Sequence, residues 1–334
     1  MNVCANCFND YELKRFIVSN SSEKGKCDYC GDSCLTDLID VDELLDFFAE
    51  FIKIYKIDEY GVHLFDIIQN DWNLFSDKQD NYRFIADILS KIDNEIKYPT
   101  DKVSYVEEIN ECVSYWEVLK EDIKWKKRFL PDIDKLIDEL GWDSYFTRTI
   151  TLPQDKPLYR ARLHYSGDQK EYKIADMGCP ERTKATAGRA NPQGIPYLYL
   201  SQSTETTLYE IRAAFLDEVS VGTFKIKRDV SIVLVDFTEP PAAFLNIGEI
   251  IQYTKSMFLR KVISSDLSLP LRRFDSEIEY IPTQFICEFI KHFTGGDGII
   301  FNSSLHTGGK NIVLFEQDKI ECVSVCLHRV KPAP

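Results

Sequence analysis

Five of the ten cysteines lie within the first 34 residues, and four of them form two pairs with the same spacing. The pairs are Cys4 with Cys7 and Cys27 with Cys30, and Gly31 follows the second pair. A two-residue spacer lets both sulfurs of a pair face one metal ion from a tight turn. Two such turns supply the four thiolates that Zn²⁺ prefers. The spacing therefore predicts a zinc knuckle with these four cysteines as ligands.

Alternatives for these cysteines stay open. Disulfides or a reactive redox pair would use the same residues, but nothing in the sequence marks secretion, and thiols in the cytosol stay reduced. Cys34 could also replace one of the four ligands. Because four protein ligands leave no coordination position for a substrate, the expected role of the zinc ion is structural.

Six segments of the second half belong together: four short apolar runs, one glycine loop and one helix-like segment. In chain order they are Leu158–Leu163, the glycine loop Gly188–Gly194, Tyr197–Ser201, the helix-like segment Thr204–Phe215, Gly298–Ser304 and Gly308–Phe315. Each short run has the length of a strand, apart from the loop and the helix-like segment.

This ordered set resembles the RES family, toxin domains named for an Arg, a Glu and a Ser. The matching positions are Arg160, Glu210 and Ser303, with Tyr199 as the usual fourth member. Ser304 takes the place of Ser303 if the register differs by one residue. Members of this family are similar in fold to ADP-ribosyltransferases and consume NAD. Some use water or phosphate as the acceptor, and some modify a protein.

The resemblance implies a chemical role for each matching residue. Cleavage of the bond between nicotinamide and ribose makes the ribose electron-poor, and a buried carboxylate such as Glu210 could stabilise that charge. The pyrophosphate of NAD needs fixed cations. Arg160, Arg162 on the same strand face, and Arg189 in the glycine loop could supply them. The structural alternatives are a solvated helix residue for Glu210 and surface positions for the arginines.

Other polar residues would surround the substrate. Tyr199 could stack on nicotinamide or donate to a substrate oxygen, although aromatic residues are common on strands. Ser201 belongs to the same family pattern. Ser303 could hold a phosphate or ribose oxygen or position the acceptor, and no histidine is placed by sequence to make it a nucleophile. Gln284, near the start of a predicted helix, could also contact the substrate.

The formal net charge of −14 is confined to one part of the chain. Residues 151–334 hold 22 basic and 22 acidic residues, so the whole net charge falls within residues 1–150. Such an acidic surface repels nucleic acid, whereas the neutral second half can accept an anionic substrate. No apolar run approaches the ~20 residues of a membrane span, and no signal-peptide pattern opens the chain, so a cytoplasmic location is expected.

Residues 37–148 are predicted to form an acidic helical domain. Helical periodicity runs from Leu44 to Tyr55, and further helical patterns span Val62–Gln69, Tyr82–Ile92, Tyr105–Arg128 and Ile133–Leu140. The region resembles the HEPN-type N-terminal region that accompanies some RES domains. HEPN ribonucleases carry an Arg a few residues before a His on one helix. His63 has no such Arg before it, so RNA cleavage is not expected.

Aromatic and basic residues give this acidic region its other features. The aromatic residues fit a core better than a partner surface; they are Trp72, Tyr82, Phe84, Tyr115, Trp116 and Trp125. The run from Lys124 to Arg128 is its one basic cluster. That run is either a solvated helix face or a docking surface for the second domain or a nucleic acid.

Together these patterns predict an α+β chain. A zinc knuckle occupies residues 1–36, the helical domain 37–148, and a mixed α/β RES domain with an ADP-ribosyltransferase-like fold 149–334. The expected function is NAD degradation by a toxin, as a glycohydrolase or phosphorylase, in a toxin–antitoxin system or antiviral defence. The N-terminal region, a separate antitoxin or an activating partner would control it. A protein ADP-ribosyltransferase and a zinc-dependent binding module with an inactive second half are the alternatives, and a homo-oligomer is compatible with each.

Overall fold

The computed structural model describes residues 1–31, 35–77, 80–165, 170–269 and 277–330. The chain divides into two compact units, one formed by Met1–Ser114 and Pro240–Met257, the other by Tyr115–Glu239 and Phe258–Pro334. Helices and strands occur in both, which confirms the predicted α+β class. Within the described ranges, no helix combines the length and the apolar character that crossing a bilayer requires.

The described residues form helices of four to nineteen residues. These are α1 (Tyr11–Asn20), α2 (Leu45–Ile52), α3 (Leu64–Trp72), α4 (Asn81–Lys91), α5 (Glu107–Trp125), α6 (Trp142–Tyr145), α7 (Thr204–Glu210), α8 (Ile250–Ser268) and α9 (Ile281–Phe293). Short 3₁₀-helices include Ala5–Cys7, Phe244–Glu249 and Glu277–Tyr280, and Lys135–Glu139 forms a π-helical turn.

The strands of the described ranges belong to three sheets. They are β1 (Asn2–Cys4), β2 (Glu23–Gly25), β3 (Thr36–Asp40), β4 (Tyr55–His63), β5 (Lys102–Tyr105), β6 (Thr149–Thr151), β7 (Leu158–Leu163), β8 (Leu198–Ser201), β9 (Glu218–Ile226), β10 (Val233–Asp236), β11 (Gly298–Asn302), β12 (Lys310–Leu314) and β13 (Ile320–Arg329).

The first unit contains two small antiparallel sheets besides its helices. One has the order β1-β3-β2 and the other is the hairpin β4-β5. The helical pattern predicted from Leu44 to Tyr55 ends at Ile52 in α2, and Tyr55 begins strand β4. The sequence prediction missed this hairpin because Tyr55 continues the helical spacing, whereas pairing with β5 decides its actual conformation.

Aromatic side chains form the core of the first unit. Phe8, Phe48, Phe75 and Phe84 are buried, and the Phe84 ring lies 5.4–5.8 Å from the other three ring centroids. Of the six aromatic residues expected to be core, Trp72, Phe84 and Trp116 are buried, Tyr115 is partly buried, and Tyr82 and Trp125 are exposed. The expectation therefore holds for three of them and is wrong for two.

The second unit is built on a sheet of eight strands, counted over the described residues. Its strand order is β13-β9-β7-β8-β12-β11-β10-β6. The pair β10–β11 is parallel and the other neighbouring pairs are antiparallel. Leucine and isoleucine residues from β7, β8, β11 and β12 cover one face and form the core; they include Leu158, Leu198, Leu200, Ile300 and Ile312.

The sheet is split between β7 and β8. Among the described residues, Tyr159 opposite Ser201 is the single paired position between these strands. By contrast, β7 pairs with β9 along Leu158–Leu163, and β8 pairs with β12 along Leu198–Ser201. The sheet therefore consists of two well-paired halves that diverge at the β7–β8 junction.

Gly298 lets β11 approach β12 closely in the half that contains β8. A Cβ atom at Gly298 would lie 2.1 Å from the carbonyl oxygen of Val313, which is too short for any contact. We expect Gly298→Ala to lower the free energy of unfolding by about 1–3 kcal/mol or more, because the strands must separate. Urea denaturation measures this. Gly248→Ala is the control, since its Cβ meets open space, and an equal loss in both variants would contradict the packing argument.

Candidate functional site

A cavity of about 670 Å³ lies where β7 and β8 diverge. Its lining includes Arg160 of β7, Tyr199 and Ser201 of β8, Glu210 of α7 and Asn311 of β12. This volume falls within the range of roughly 300–1,000 Å³ that is usual for ligand pockets. The split in the sheet thus gives the second unit a concave site with a cation and a carboxylate in its wall.

Glu210 is held at the end of a short helix. Ser203 caps α7 by accepting a hydrogen bond from the Thr206 backbone N–H, and Glu210 is the last residue of the helix. The helix stops there because Arg212 adopts a left-handed conformation with φ 51°. The sequence analysis predicted a helix as far as Phe215, and this extension is wrong. The early stop places both Glu210 and Arg212 in the cavity wall.

One carboxylate oxygen of Glu210 receives two hydrogen bonds. The Ser303 hydroxyl donates to Oε1 at 2.6 Å, and the Asn311 side-chain amide donates to the same oxygen at 2.7 Å. From the described residues, Oε2 accepts no hydrogen bond. The carboxylate is therefore fixed through one oxygen, while the other remains available within the cavity wall.

Ser303 belongs to a compact loop that closes on itself. Its hydroxyl oxygen accepts hydrogen bonds from the backbone N–H groups of Leu305 and His306, and its own N–H donates to the Gly309 carbonyl. Ser304 points elsewhere, since its hydroxyl donates to the Ser268 carbonyl. Ser303 is thus the serine that contacts Glu210, and its hydroxyl uses its one donor and both acceptor positions in these hydrogen bonds.

Asn311 links Glu210 to the β8 strand and was missed by the sequence analysis. Its side chain is 6% exposed, and its Oδ1 accepts a hydrogen bond from the Ser201 hydroxyl at 2.8 Å. Asn311 lies opposite Ser201 in the β8–β12 register, so both side chains share one face. A polar residue at the start of the apolar run Ile312–Leu314 was the available signal, but its partner depends on strand pairing.

The two strand arginines occupy different positions. The Arg160 guanidinium lines the cavity and donates to the carbonyls of Met177 and Gly178 at 3.2 and 2.8 Å. Arg162 lies on the same strand face and donates to Gly178 at 2.8 Å, but it is outside the cavity lining. Burial, and then the neighbouring Arg162, lower the pKa of Arg160 to about 10. Arg160 is therefore still a cation at neutral pH.

Tyr199 fastens the glycine loop to strand β8. Its hydroxyl donates to the Asn191 side chain at 2.8 Å and accepts from the Ala190 N–H at 3.0 Å. Burial raises the pKa of Tyr199, so the hydroxyl keeps its proton. Asn191, also missed by the sequence analysis, donates to the Thr186, Pro192 and Ile195 carbonyls. The Tyr199 ring lines the cavity while its hydroxyl shapes the loop.

The remaining loop residues also have structural partners. Arg189 lines the cavity, and its guanidinium donates to the Leu267 and Ser268 carbonyls at the C-terminal end of α8. Gln284 donates to the Gly188 carbonyl at 2.8 Å and is not part of the cavity lining. Five of the positions named from sequence line one cavity: Arg160, Arg189, Tyr199, Ser201 and Glu210. Ser303 contacts Glu210. Arg162 and Gln284 are outside the cavity lining.

A second constellation lies in the first unit, where Cys4, Cys7, Cys27 and Cys30 converge. Their sulfurs lie within 4.8 Å of one another, with separations of 3.8 Å for Cys4–Cys7, 3.7 Å for Cys4–Cys30 and 3.5 Å for Cys7–Cys27. Four ligands at ~2.3 Å from a tetrahedral zinc ion are separated by about 3.8 Å. The cluster therefore fits a structural zinc ion, and the cysteines are not joined as disulfides. Cys34 lies outside the described residues.

Local structure fixes both cysteine turns. Cys4 ends β1 and Cys7 lies in the following 3₁₀ turn. The second turn is clamped to β1 by Asn2 and Asp28, since the Asn2 N–H donates to the Asp28 carboxylate and the Asp28 N–H donates to the Asn2 carbonyl. The Tyr29 N–H points at the Cys27 sulfur at 3.4 Å. Such an N–H group stabilises a metal-bound thiolate.

We expect the purified protein to contain one zinc ion per chain, and Cys7→Ser to remove it. Because metal binding by such a site is coupled to folding, the variant should also lower the Tm by several degrees. Elemental analysis and calorimetry provide these readouts. Cys326→Ser is the control, since Cys326 is exposed and outside the cluster. A wild-type protein that contains no zinc, and whose Tm does not change when a chelator is added, would exclude the metal site.

Comparison with known proteins identifies a family for the second half of the chain. Residues 157–331 match the family model of the RES domain. No curated protein and no solved structure matched the chain. The matched segment covers β7 to β13 and includes every strand whose residues line the cavity. Because this segment is more than half of the 334 residues, the chain belongs to the RES domain family.

Proposed function

We propose that this chain cleaves the bond between nicotinamide and ribose in NAD. The observation that carries the proposal is that the Glu210 carboxylate and the Arg160 guanidinium line the same cavity. A dinucleotide with an anionic pyrophosphate and a ribose that becomes cationic during cleavage needs both groups. With water as acceptor, the C–N bond breaks, nicotinamide leaves neutral, and water forms the new C–O bond and releases a proton.

Glu210 would stabilise the ribose as its positive charge develops. Its Oε1 is held by Ser303 and Asn311, so the carboxylate does not have to reorient during the reaction. A preorganised charge of this kind contributes more than one that must first turn toward the substrate. Its Oε2 is the atom that would approach the ribose hydroxyl groups or the anomeric carbon.

Arg160 would bind the pyrophosphate. Its hydrogen-bond partners among the described residues are two neutral carbonyl groups, those of Met177 and Gly178. A guanidinium that is buried without a carboxylate partner favours an anionic ligand, and its planar fork suits phosphate oxygens. Arg189 shares the cavity wall, but its guanidinium is committed to α8 carbonyls, so we assign it the support of the glycine loop.

Depletion of NAD would make this activity toxic to the cell that contains it. A toxin of this kind needs control, and we propose that the first unit or a separate protein provides it. The site is compatible with water, phosphate or a protein side chain as acceptor. Radiolabelled NAD separates these: label fixed to protein indicates ADP-ribosyl transfer, whereas free ADP-ribose or its 1-phosphate indicates degradation.

We expect the full-length protein to release nicotinamide from NAD, and Glu210→Gln to lower kcat by about 100- to 1,000-fold. Nicotinamide is measured by chromatography, with and without phosphate. Glu321→Gln is the control, because Glu321 is an exposed carboxylate on β13, and it should retain wild-type activity. Release that does not depend on Glu210, or a folded protein that neither binds nor cleaves NAD, would overturn the proposal.

We expect Asn311→Ala to lower kcat about 10- to 100-fold, because one charge-assisted hydrogen bond that orients Glu210 is lost. The KM for NAD should change less, since Asn311 acts through Glu210. Steady-state kinetics of nicotinamide release separates the two parameters. Asn302→Ala, an exposed asparagine at the end of β11, is the control. A larger effect on KM than on kcat would assign Asn311 to substrate binding instead.

A further inference from the structure

The basic run that the sequence analysis singled out is the start of an exposed basic and apolar segment. Residues 125–130, here called the basic segment, begin at Trp125, the last residue of α5, and continue beyond the helix. Trp125, Phe129 and Leu130 are 59%, 89% and 82% exposed. The three residues between them, 126–128, are Lys, Lys and Arg and are exposed as well. Three large apolar and three cationic side chains thus stand in solvent within six residues.

Local contacts do not account for this exposure. Lys126 pairs with Asp122 at 2.9 Å, one helical turn earlier, and the Arg128 guanidinium donates to the Lys124 carbonyl. An exposed ion pair within one helix contributes little to stability. Contiguous exposed apolar residues that include Trp beside Arg are typical of surfaces that bind another protein.

The first unit carries a loop of opposite charge. Ile57 and Val62 both lie opposite Val103 in the β4–β5 pairing, so residues 58–61 bulge out of the hairpin. These residues are Asp, Glu, Tyr and Gly, and Tyr60 is 88% exposed. Ile57 and Val62 are each 49% exposed. Residues 57–62, here called the acidic loop, therefore present two carboxylates around an exposed aromatic ring.

The acidic loop has a defined conformation. The Tyr60 N–H donates to the Asp58 carboxylate at 2.9 Å and holds the pKa of Asp58 below its ordinary value. Lys102 donates to the Glu59 carbonyl at 3.2 Å. A Cβ atom at Gly61 would lie 2.2 Å from the Val103 carbonyl oxygen, so only glycine permits this close approach. The loop thus holds its exposed tyrosine and its carboxylates in place before any partner binds.

We propose that the basic segment of one copy of this chain docks on the acidic loop of a second copy. The two surfaces have opposite charge, and each offers exposed aromatic or aliphatic side chains that the contact would remove from water. Tyr60 would lie among the cations of the basic segment, where a tyrosine ring attracts Lys and Arg. Each copy carries both surfaces, so each copy can contribute either side of the contact.

Local complementarity favours this partner over two others. An anionic membrane surface or a nucleic acid would also attract the basic segment. The net charge of −14 that residues 1–150 carry opposes the approach of either at long range, and it opposes a second copy in the same way. A second copy, however, also offers exposed apolar and aromatic side chains at the acidic loop, which the apolar side chains of the basic segment can cover.

The full-length wild-type protein should self-associate with rising concentration. Sedimentation velocity over about a hundredfold concentration range measures this. Replacing Lys126 and Lys127 together by Glu, or Asp58 and Glu59 together by Lys, should raise the dissociation constant at least about tenfold. Replacing Lys225 and Lys227 together by Glu, two exposed lysines elsewhere, should leave it unchanged. Circular dichroism checks that every variant is folded.

A charge-swap experiment tests the pairing itself. Each double variant alone places like charges against each other, but a 1:1 mixture of the two restores opposite charges at both contacts. The mixture should associate as the wild type does. A wild-type protein that is monomeric throughout, or variants that associate unchanged, would overturn the proposal. Association that the mixture does not restore would also overturn it. A monomeric wild type could instead bind phosphatidylserine vesicles or single-stranded DNA. If replacing Lys126 and Lys127 abolished that binding, the segment would be assigned to that partner.

Discussion

The divergence of β7 from β8 is the constraint on which the site depends. Strand β7 is bound along its length to β9, and β8 is bound to β12. Because the described residues of β7 and β8 pair only at Tyr159 and Ser201, the sheet opens beside that pair. An open sheet leaves backbone and side-chain polar groups without ladder partners. Side chains that line the cavity therefore form hydrogen bonds where strand pairing is missing.

Side-chain hydrogen bonds around Glu210 replace part of the missing strand pairing on the β8 side of the opening. Ser201 sits at the single junction between the strands and donates to Asn311, which in turn donates to Glu210. The two hydrogen bonds to Oε1 fix the position of the half-buried carboxylate, while Oε2 faces the cavity. The same bonds that stabilise the opened sheet therefore hold the carboxylate in one orientation. Stability and the proposed chemistry rest on the same contacts here.

Local sequence patterns predicted the parts of the structure that depend on short-range chemistry. The two cysteine pairs could be recognised because each spacer fixes a turn by itself. Arg160, Glu210 and Ser303 were singled out through their order along the chain, which resembles that of the family. Asn311 and Asn191 were missed because their roles arise from strand register and loop closure between distant residues. The hairpin β4–β5 was hidden for the same reason, since its acidic loop is defined by pairing with Val103, about forty residues later along the chain.

Arg160 keeps a positive charge in the cavity wall, with which an anion could pair. Burial lowers its pKa, but only to about 10, so the charge persists at neutral pH in a poorly hydrated position. Its hydrogen-bond partners among the described residues are carbonyl groups, which carry partial charges and cannot neutralise it. Burial of a charge without a full counter-charge is unfavourable. The fold must therefore hold this guanidinium in place through the β7–β9 pairing and the Met177–Gly178 carbonyls. An anionic ligand that enters the cavity would supply the missing charge, which is why binding a phosphate group there should be favourable without any rearrangement of the strand.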